Sequence, residues 1–189
     1  GDRIAALREV YEKDPAWDRP PNARNQANFD RVKAKLTGYI AKPSATLRDY
    51  PETDQSIPAL YARAYAYHQN ARVDRALDAA DALIATSPDD PYFLELKGQV
   101  LLESGRPGEA LDPLRRATAL TNSEPLIASM FGHALIATED PANYEEAERV
   151  LRAAVGRDRR NPFAWYQLGV VYAARGDTAR ARLATAEVR

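Results

Sequence analysis

Apolar residues recur every three or four positions along most of the chain. Ala is abundant, and Val and Ile are scattered rather than alternating, so the pattern predicts helices and no strands. From Asp2 to Asp14, Ile4, Leu7, Val10 and Tyr11 share one helical stripe that Pro15 stops, and Pro20-Pro21 forces an extended connection. A second helix, about Ala23 to Ala41, carries Phe29, Val32, Leu36, Tyr39 and Ile40 at helical spacings and ends before Pro43. Residues 44 to 55 read as turns, and Ser56 suits the N-cap of the helix that follows.

Beyond Ser56 the chain repeats itself. Ala64, Gly98, Gly132 and Gly169 are separated by 34, 34 and 37 positions, and Ala76, Ala110, Ala147 and Ala181 by 34, 37 and 34. One three-residue insertion between Ala137 and Tyr144 accounts for every departure from the period. Glycine inside a helix costs ~1 kcal/mol relative to alanine, so glycines at one register imply close helix approach. The small residue of each first helix is expected to face the alanine of the second. Gly105 and Gly176, with Asn70 in the first unit, suit a left-handed turn between paired helices. Pro88, Pro91, Pro125 and Pro162 punctuate the joins.

The fullest unit, Trp165-x-x-Leu168-Gly169-x-x-Tyr172 followed by Ala181, resembles the tetratricopeptide repeat. The resemblance implies an all-α fold: an α-solenoid of helix-turn-helix units in a right-handed superhelix, preceded by two lead-in helices. It divides the chain into a lead-in, 1–56, and a four-unit array, 57–189, with units 57–90, 91–123, 124–161 and 162–189.

Composition narrows the function. The 189 residues carry 26 Lys plus Arg against 27 Asp plus Glu, a net charge of -1, and no Cys. Without a basic block there is no phosphate-tracking surface, so nucleic acid is not an expected partner. Disulfides, thiolate metal sites and a Cys nucleophile are excluded together. No apolar run approaches the ~18–20 residues that span a bilayer, so membrane insertion is not expected, and no signal-peptide pattern opens the chain as given. Gly1 in place of Met predicts a processed product or a fragment.

Catalytic patterns are missing as well. A zinc peptidase of the H-E-x-x-H type needs two His one turn apart around a Glu, whereas His68 and His133 fall in different units with neither flank present. There is no G-x-S-x-G elbow and no phosphate-binding glycine loop. Glu145-Glu146 sits where a helix start favours negative charge, and Arg157 to Arg160 reads as a solvated helix end. No catalytic residue, metal site or cofactor is expected in this chain.

A narrower likeness concerns a parent protein. Pro91 to Arg106, with Asn161-Pro162-Phe163-Ala164-Trp165 and Tyr50-Pro51-Glu52-Thr53-Asp54-Gln55-Ser56, resembles the C-terminal region of bacterial BepA-type zinc metallopeptidases. Asp2-Arg3-Ile4-Ala5-Ala6-Leu7 is similar to the stretch that closes their protease domain. This resemblance implies a noncatalytic interaction domain in the periplasm, serving envelope protein quality control or outer-membrane protein assembly. Zinc would belong only to a protease domain absent here. Implied partners are client polypeptides, the chain's own protease domain or outer-membrane assembly machinery. The alternative is a freestanding tetratricopeptide adaptor with no enzyme attached, and the alternative location is cytoplasmic.

The remaining candidate is a concave groove, the surface such arrays use to bind. Counting the small residue as position eight, positions two, five, nine and twelve of each first helix point inward. The groove candidates are Tyr61, Tyr65 and His68; Tyr92, Glu95 and Gln99; Ser129 and His133; Phe163 and Tyr166. Pro58, Leu102, Leu126, Ile136, Val170 and Ala173 share these registers, while Tyr67, Phe131, Trp165 and Tyr172 read as core. Groove tyrosines predict that Tyr61→Ala with Tyr65→Ala weakens client capture at a cost below ~1 kcal/mol each. Chaperone-tail-binding relatives clamp a carboxylate with Lys and Asn at positions five and nine. Tyr61 with Tyr65, Glu95 with Gln99, Ser129 with His133 and Tyr166 with Val170 do not fit that clamp, and an extended or hydrophobic segment fits better. The array stops at Arg189 inside a second helix, leaving Leu183 and Val188 either for a second copy, as a homodimer, or on a frayed end.

Overall fold

The computed structural model describes residues 2–15, 20 and 22–188. The side chains of Ile4 and Leu7, together with Pro21 and Arg189, lie outside the described residues. The helices are α1 (Asp2–Tyr11), α2 (Ala23–Ile40), α3 (Pro43–Asp49), α4 (Ile57–Gln69), α5 (Val73–Thr86), α6 (Pro91–Glu103), α7 (Pro107–Leu120), α8 (Pro125–Ala137), α9 (Tyr144–Arg157), α10 (Pro162–Ala174) and α11 (Thr178–Glu187). There is no strand among the described residues. Paired helices α4/α5, α6/α7, α8/α9 and α10/α11 stack one on the next as an all-α solenoid. The three-residue insertion is a single 3-10 turn, Pro141–Asn143, ahead of α9.

Local chemistry starts each first helix. Ser56 Oγ, an Asp90 carboxylate oxygen, Glu124 Oε2 and Asn161 Oδ1 accept from backbone N–H groups of α4, α6, α8 and α10. Pro91, Pro125 and Pro162 fill first-turn positions whose N–H would have no helical partner. The left-handed residues between paired helices are Ala71 (φ 54°), Gly105 (75°), Glu139 (55°) and Gly176 (80°). The first of these lies one position after the expected Asn70. There the Arg72 N–H reaches back to the Tyr67 carbonyl at 2.8 Å, as Arg106 does to Leu101 at 2.9 Å and Asp177 to Tyr172 at 2.8 Å.

Gly98 and Gly132 do sit at close approaches, but not against the expected alanines. A Cβ on Gly132 would stand 2.5 Å from Leu151 Cγ, and one on Gly98 would overlap Leu114. Ala110 and Ala147 lie one turn earlier on the same faces, which is why spacing alone favours them. Only Gly169 faces its expected partner, at 3.7 Å from the Ala181 carbonyl oxygen. Tyr67, Phe131 and Tyr172 are buried in the core, and Trp165 is half-buried beside it.

The lead-in differs most from expectation. Residues 44 to 55 contain a helix, α3, whose Pro43 opens the first turn and whose Thr46 is buried with its hydroxyl 3.4 Å from the Thr37 carbonyl. More consequentially, α2 does not bury its apolar stripe. Phe29, Val32, Leu36, Tyr39 and Ile40 are 52–75% exposed, and the buried residues are Ala34 and Gly38. Small side chains on that face let α2 lie along α4 as closely as the helices of one unit lie together. A Cβ on Gly38 would be 2.6 Å from the Ala62 carbonyl oxygen. On the other flank of α4, the buried Arg63 donates to the carbonyls of Pro51 and Asp54 at 2.6 Å each, holding the loop before Ser56 down.

Candidate binding groove

The first helices α4, α6, α8 and α10 carry the inward registers, and α2 lies over the start of that surface. Its Arg31 guanidinium donates to both carboxylate oxygens of Asp90, at 2.7 and 2.8 Å, and sits 4.6 Å from the Phe93 ring centre. The same Asp90 caps α6 through the Tyr92 N–H at 2.9 Å, so one carboxylate joins the lead-in to the second unit. Lys35 approaches Glu95 at 3.5 Å, and the Tyr39 ring meets Tyr65 edge-on at 6.0 Å. The Gln69 amide donates to the Tyr39 carbonyl.

As a result, α2 covers two residues expected to meet a client. Tyr61 and Tyr65 stand on the concave side but are only 1% and 2% exposed. Their hydroxyls donate to the Tyr92 carbonyl and to Gln99 Oε1, each at 3.3 Å, and burial raises the pKa of both far above the ordinary tyrosine value. Losing either ring now removes core, so the expectation of a cost below ~1 kcal/mol gives way to one of several kcal/mol.

The uncovered part is a cavity of about 810 Å³ between α2 and the faces of α6, α8 and α10. It gathers Tyr65, Glu95, Gln99, Ser129, His133 and Phe163 from the expected groove set. Tyr92 lies in a smaller recess beside Arg31 with Tyr61, His68 supports the wall through Glu103, and Tyr166 is exposed outside both hollows. What the repeat registers did not supply is the wall from α2: Val32, Leu36 and Tyr39. Two small residues four apart, Ala34 and Gly38, were the available sign that the opposite face is the one turned to the array.

Polar groups in the cavity are mostly engaged. Asn161 donates to Ser129 Oγ at 3.0 Å while capping α10, and Ser129 is itself 2% exposed and donates to the Pro125 carbonyl at 2.5 Å. Glu103 accepts from Gln99 at 2.8 Å and lies 2.7 Å from His68 Nε2, and these bonds hold its carboxyl below the usual range. Burial pushes the Glu95 carboxyl up, with Lys35 opposing. His133 packs edge-on against Phe163 at 5.5 Å, and desolvation lowers its pKa from 6.5. No group of three or more His, Cys, Asp or Glu among the described residues could hold a metal. Glu146, expected only to favour a helix start, makes a two-bonded ion pair with Arg115 of α7 at 2.9 and 3.1 Å.

The lowered histidine has a pH signature. Folding disfavours the imidazolium, so the stability His133 contributes is complete above the ordinary histidine range and is lost as the pH falls through it. Thermal midpoints should therefore drop less for His133→Phe than for the native chain between about pH 7.5 and 5.5. Equal drops would remove His133 from the account.

The sequence matches the tetratricopeptide repeat family over residues 61–125 and 134–188. Among solved structures it is similar to MamA from Desulfovibrio magneticus RS-1, residues 41 to the end. The TM-score is 0.71 at 20% identity, over 86% of this chain and 92% of that one. MamA MSR-1 C2 gives a TM-score of 0.67 at 16% identity, over 86% and 94%. At such identities the likeness is one of fold. No curated protein matches the sequence. No helix among the described residues is long and apolar enough to cross a membrane.

Proposed function

We propose, from the premise that the chain belongs to the tetratricopeptide repeat family, that it is a scaffold holding a polypeptide partner in its concave cavity. The observation that carries this is the cavity itself: about 810 Å³, walled by large apolar side chains left in water, with few polar groups free to bond. The groove residues Gln99, His133 and Phe163, with Leu36 and Tyr39 from α2, would make the contacts, and Tyr61, Tyr65, Ser129 and the largely buried Glu95 would hold the walls. Repeat arrays bind through such concave surfaces, and neither a cofactor nor a metal enters the reading.

An adaptor without an attached enzyme is the better supported form. The likeness of fold covers 92–94% of the neighbouring chains. The reading as a noncatalytic domain of a periplasmic BepA-like zinc metallopeptidase rests on the resemblance of Pro91 to Arg106 and the flanking segments, and no curated sequence adds to it. An H-E-x-x-H encoded upstream of Gly1 would favour that parent.

Peptides selected from a random library on the full chain test the groove. They should lose at least ~10-fold in affinity on Phe163→Glu and bind normally to Leu183→Glu, whose side chain lies on the last helix outside the cavity. Selected peptides indifferent to Phe163→Glu would sink the assignment.

A further inference from the structure

The chemistry of the cavity walls restricts what can enter. Apart from Asn161, the N-cap of α10, the walls are helices, whose interior backbone N–H and C=O groups are used internally. Of the side-chain partners, Ser129 and Asn161 are bonded to each other and Gln99 to Tyr65 and Glu103. An extended segment would bring backbone donors and acceptors into an apolar hollow that has almost nothing to pair with them. A helix arrives with those groups already satisfied. The shape agrees: Val32, Leu36 and Tyr39 follow one another at spacings of four and three, the ridge of a helix awaiting a second helix. A volume of about 810 Å³ corresponds to about two turns of a helix ~10 Å across.

Charge is also uneven. Lys35 faces Glu95 at 3.5 Å, which leaves the half-exposed Glu103 carboxylate as the excess charge of the lining. Its partners are the Gln99 amide at 2.8 Å and His68 Nε2 at 2.7 Å. Desolvation keeps His133, on the facing helix, from supplying a compensating cation.

We propose that this cavity takes an amphipathic α-helix of a partner protein. The helix would set its apolar seam between Leu36 of α2 and Phe163 of α10, with a Lys or Arg on its flank paired to Glu103. This rests on the groove reading above and sharpens it from a polypeptide to a cationic helix. The recognition mode is helix-in-groove, in which residues three, four and seven apart act as anchors.

The probe is a labelled peptide of about five turns, ~18 residues, with Leu at alternating three- and four-residue spacings and Lys along the flank, read by fluorescence anisotropy on the full chain at about pH 8. Three controls accompany it: the same peptide with Glu for Lys, one with the Leu positions shuffled, and one with a central Pro. The Lys helix should bind at least ~10-fold more tightly than each control. Leu36→Glu and Phe163→Glu, on opposite walls and at exposed positions, should each remove that binding while keeping the thermal midpoint. Glu103→Gln should abolish the preference for Lys over Glu.

Failure of the Lys helix to bind, or binding of the shuffled peptide equally well, overturns the proposal. If the Pro peptide binds instead and Phe163→Glu blocks it, the groove stands and the helix falls. If no peptide binds and library selection also ignores Phe163→Glu, the groove reading falls with it. A dimer that Leu36→Glu dissociates would give the cavity to a second copy. Tighter binding on replacing Val10 and Tyr11 of α1 by Glu would give it to the chain's own first helix. Either result overturns the partner-helix assignment.

Discussion

Gly132→Leu should lower the unfolding free energy by about 1–3 kcal/mol or more, and Gly132→Ala should act in the same direction. Gly169→Ala should leave stability unchanged or raise it by up to ~1 kcal/mol. The two glycines occupy one register of the repeat, so sequence position alone predicts equal responses. The difference lies in what stands opposite. A Cβ on Gly132 would be 2.5 Å from both Cγ and Cδ2 of Leu151, which is 0% exposed and enclosed by core, with no water to swing into. On Gly169 the nearest atoms are Thr185 Oγ1, the Ala181 carbonyl oxygen and Ala184 Cβ, at 3.6, 3.7 and 3.8 Å, ordinary contact distances. There alanine gains helix propensity without displacing a neighbour. For a chain of this length each kcal/mol moves the melting temperature by roughly 2–4 °C, so opposite shifts would be plain in thermal denaturation. Two alanine variants that melt alike would mean that the register, and not the facing leucine, sets the cost.

The same glycines show how far sequence reasoning reaches. The period was legible because small residues recur at separations of 34 and 37 positions, and at Gly98 and Gly132 a leucine side chain stands where a Cβ would go. The partner of each glycine was not, because Ala110 and Leu114, like Ala147 and Leu151, are one turn apart on one face and the spacing admits either. The site divides in a similar way. His133 and Phe163 belong to repeated helices, and their inward register follows from the period alone. The α2 wall has no copy elsewhere in the chain. An apolar stripe such as Phe29, Val32, Leu36 and Tyr39 reads as the face to bury, since burial of apolar area is the usual driving force. The actual choice was made by non-local matches, Ala34 and Gly38 against the α4 backbone, Arg31 with Asp90 and Lys35 with Glu95, which no window on one helix contains.

Those matches make Gly38→Leu the substitution with the largest combined effect. The atoms a Cβ would meet are the Ala62 carbonyl oxygen at 2.6 Å and the Ala62 Cα and Tyr65 Cβ at 3.0 Å. Two of the three are backbone in the middle of α4, where the chain is hydrogen-bonded along the helix and does not yield. Relief must come from α2 moving away as a body. With it go the Arg31 bonds to Asp90, the contact of Lys35 with Glu95 and the ring of Tyr39 over Tyr65. The expected loss is about 3 kcal/mol or more, at the top of the range for overpacking. Repeat units are stabilised chiefly by their neighbours, so α6 to α11 should stay folded and the transition should split or broaden. Tyrosine ionisation supplies a second, local readout. Of the 10 tyrosines, Tyr61, Tyr65 and Tyr67 resist ionisation because burial disfavours their phenolates, and α2 covers the first two. Once α2 lifts, both should titrate near the ordinary value of about 10, seen as added phenolate absorbance at a pH where the native chain shows none from them. The helix probe should also lose its site, because α2 supplies one wall. An unchanged melting curve and an unchanged titration in Gly38→Leu would place α2 elsewhere than on α4, and the cavity would lose that wall.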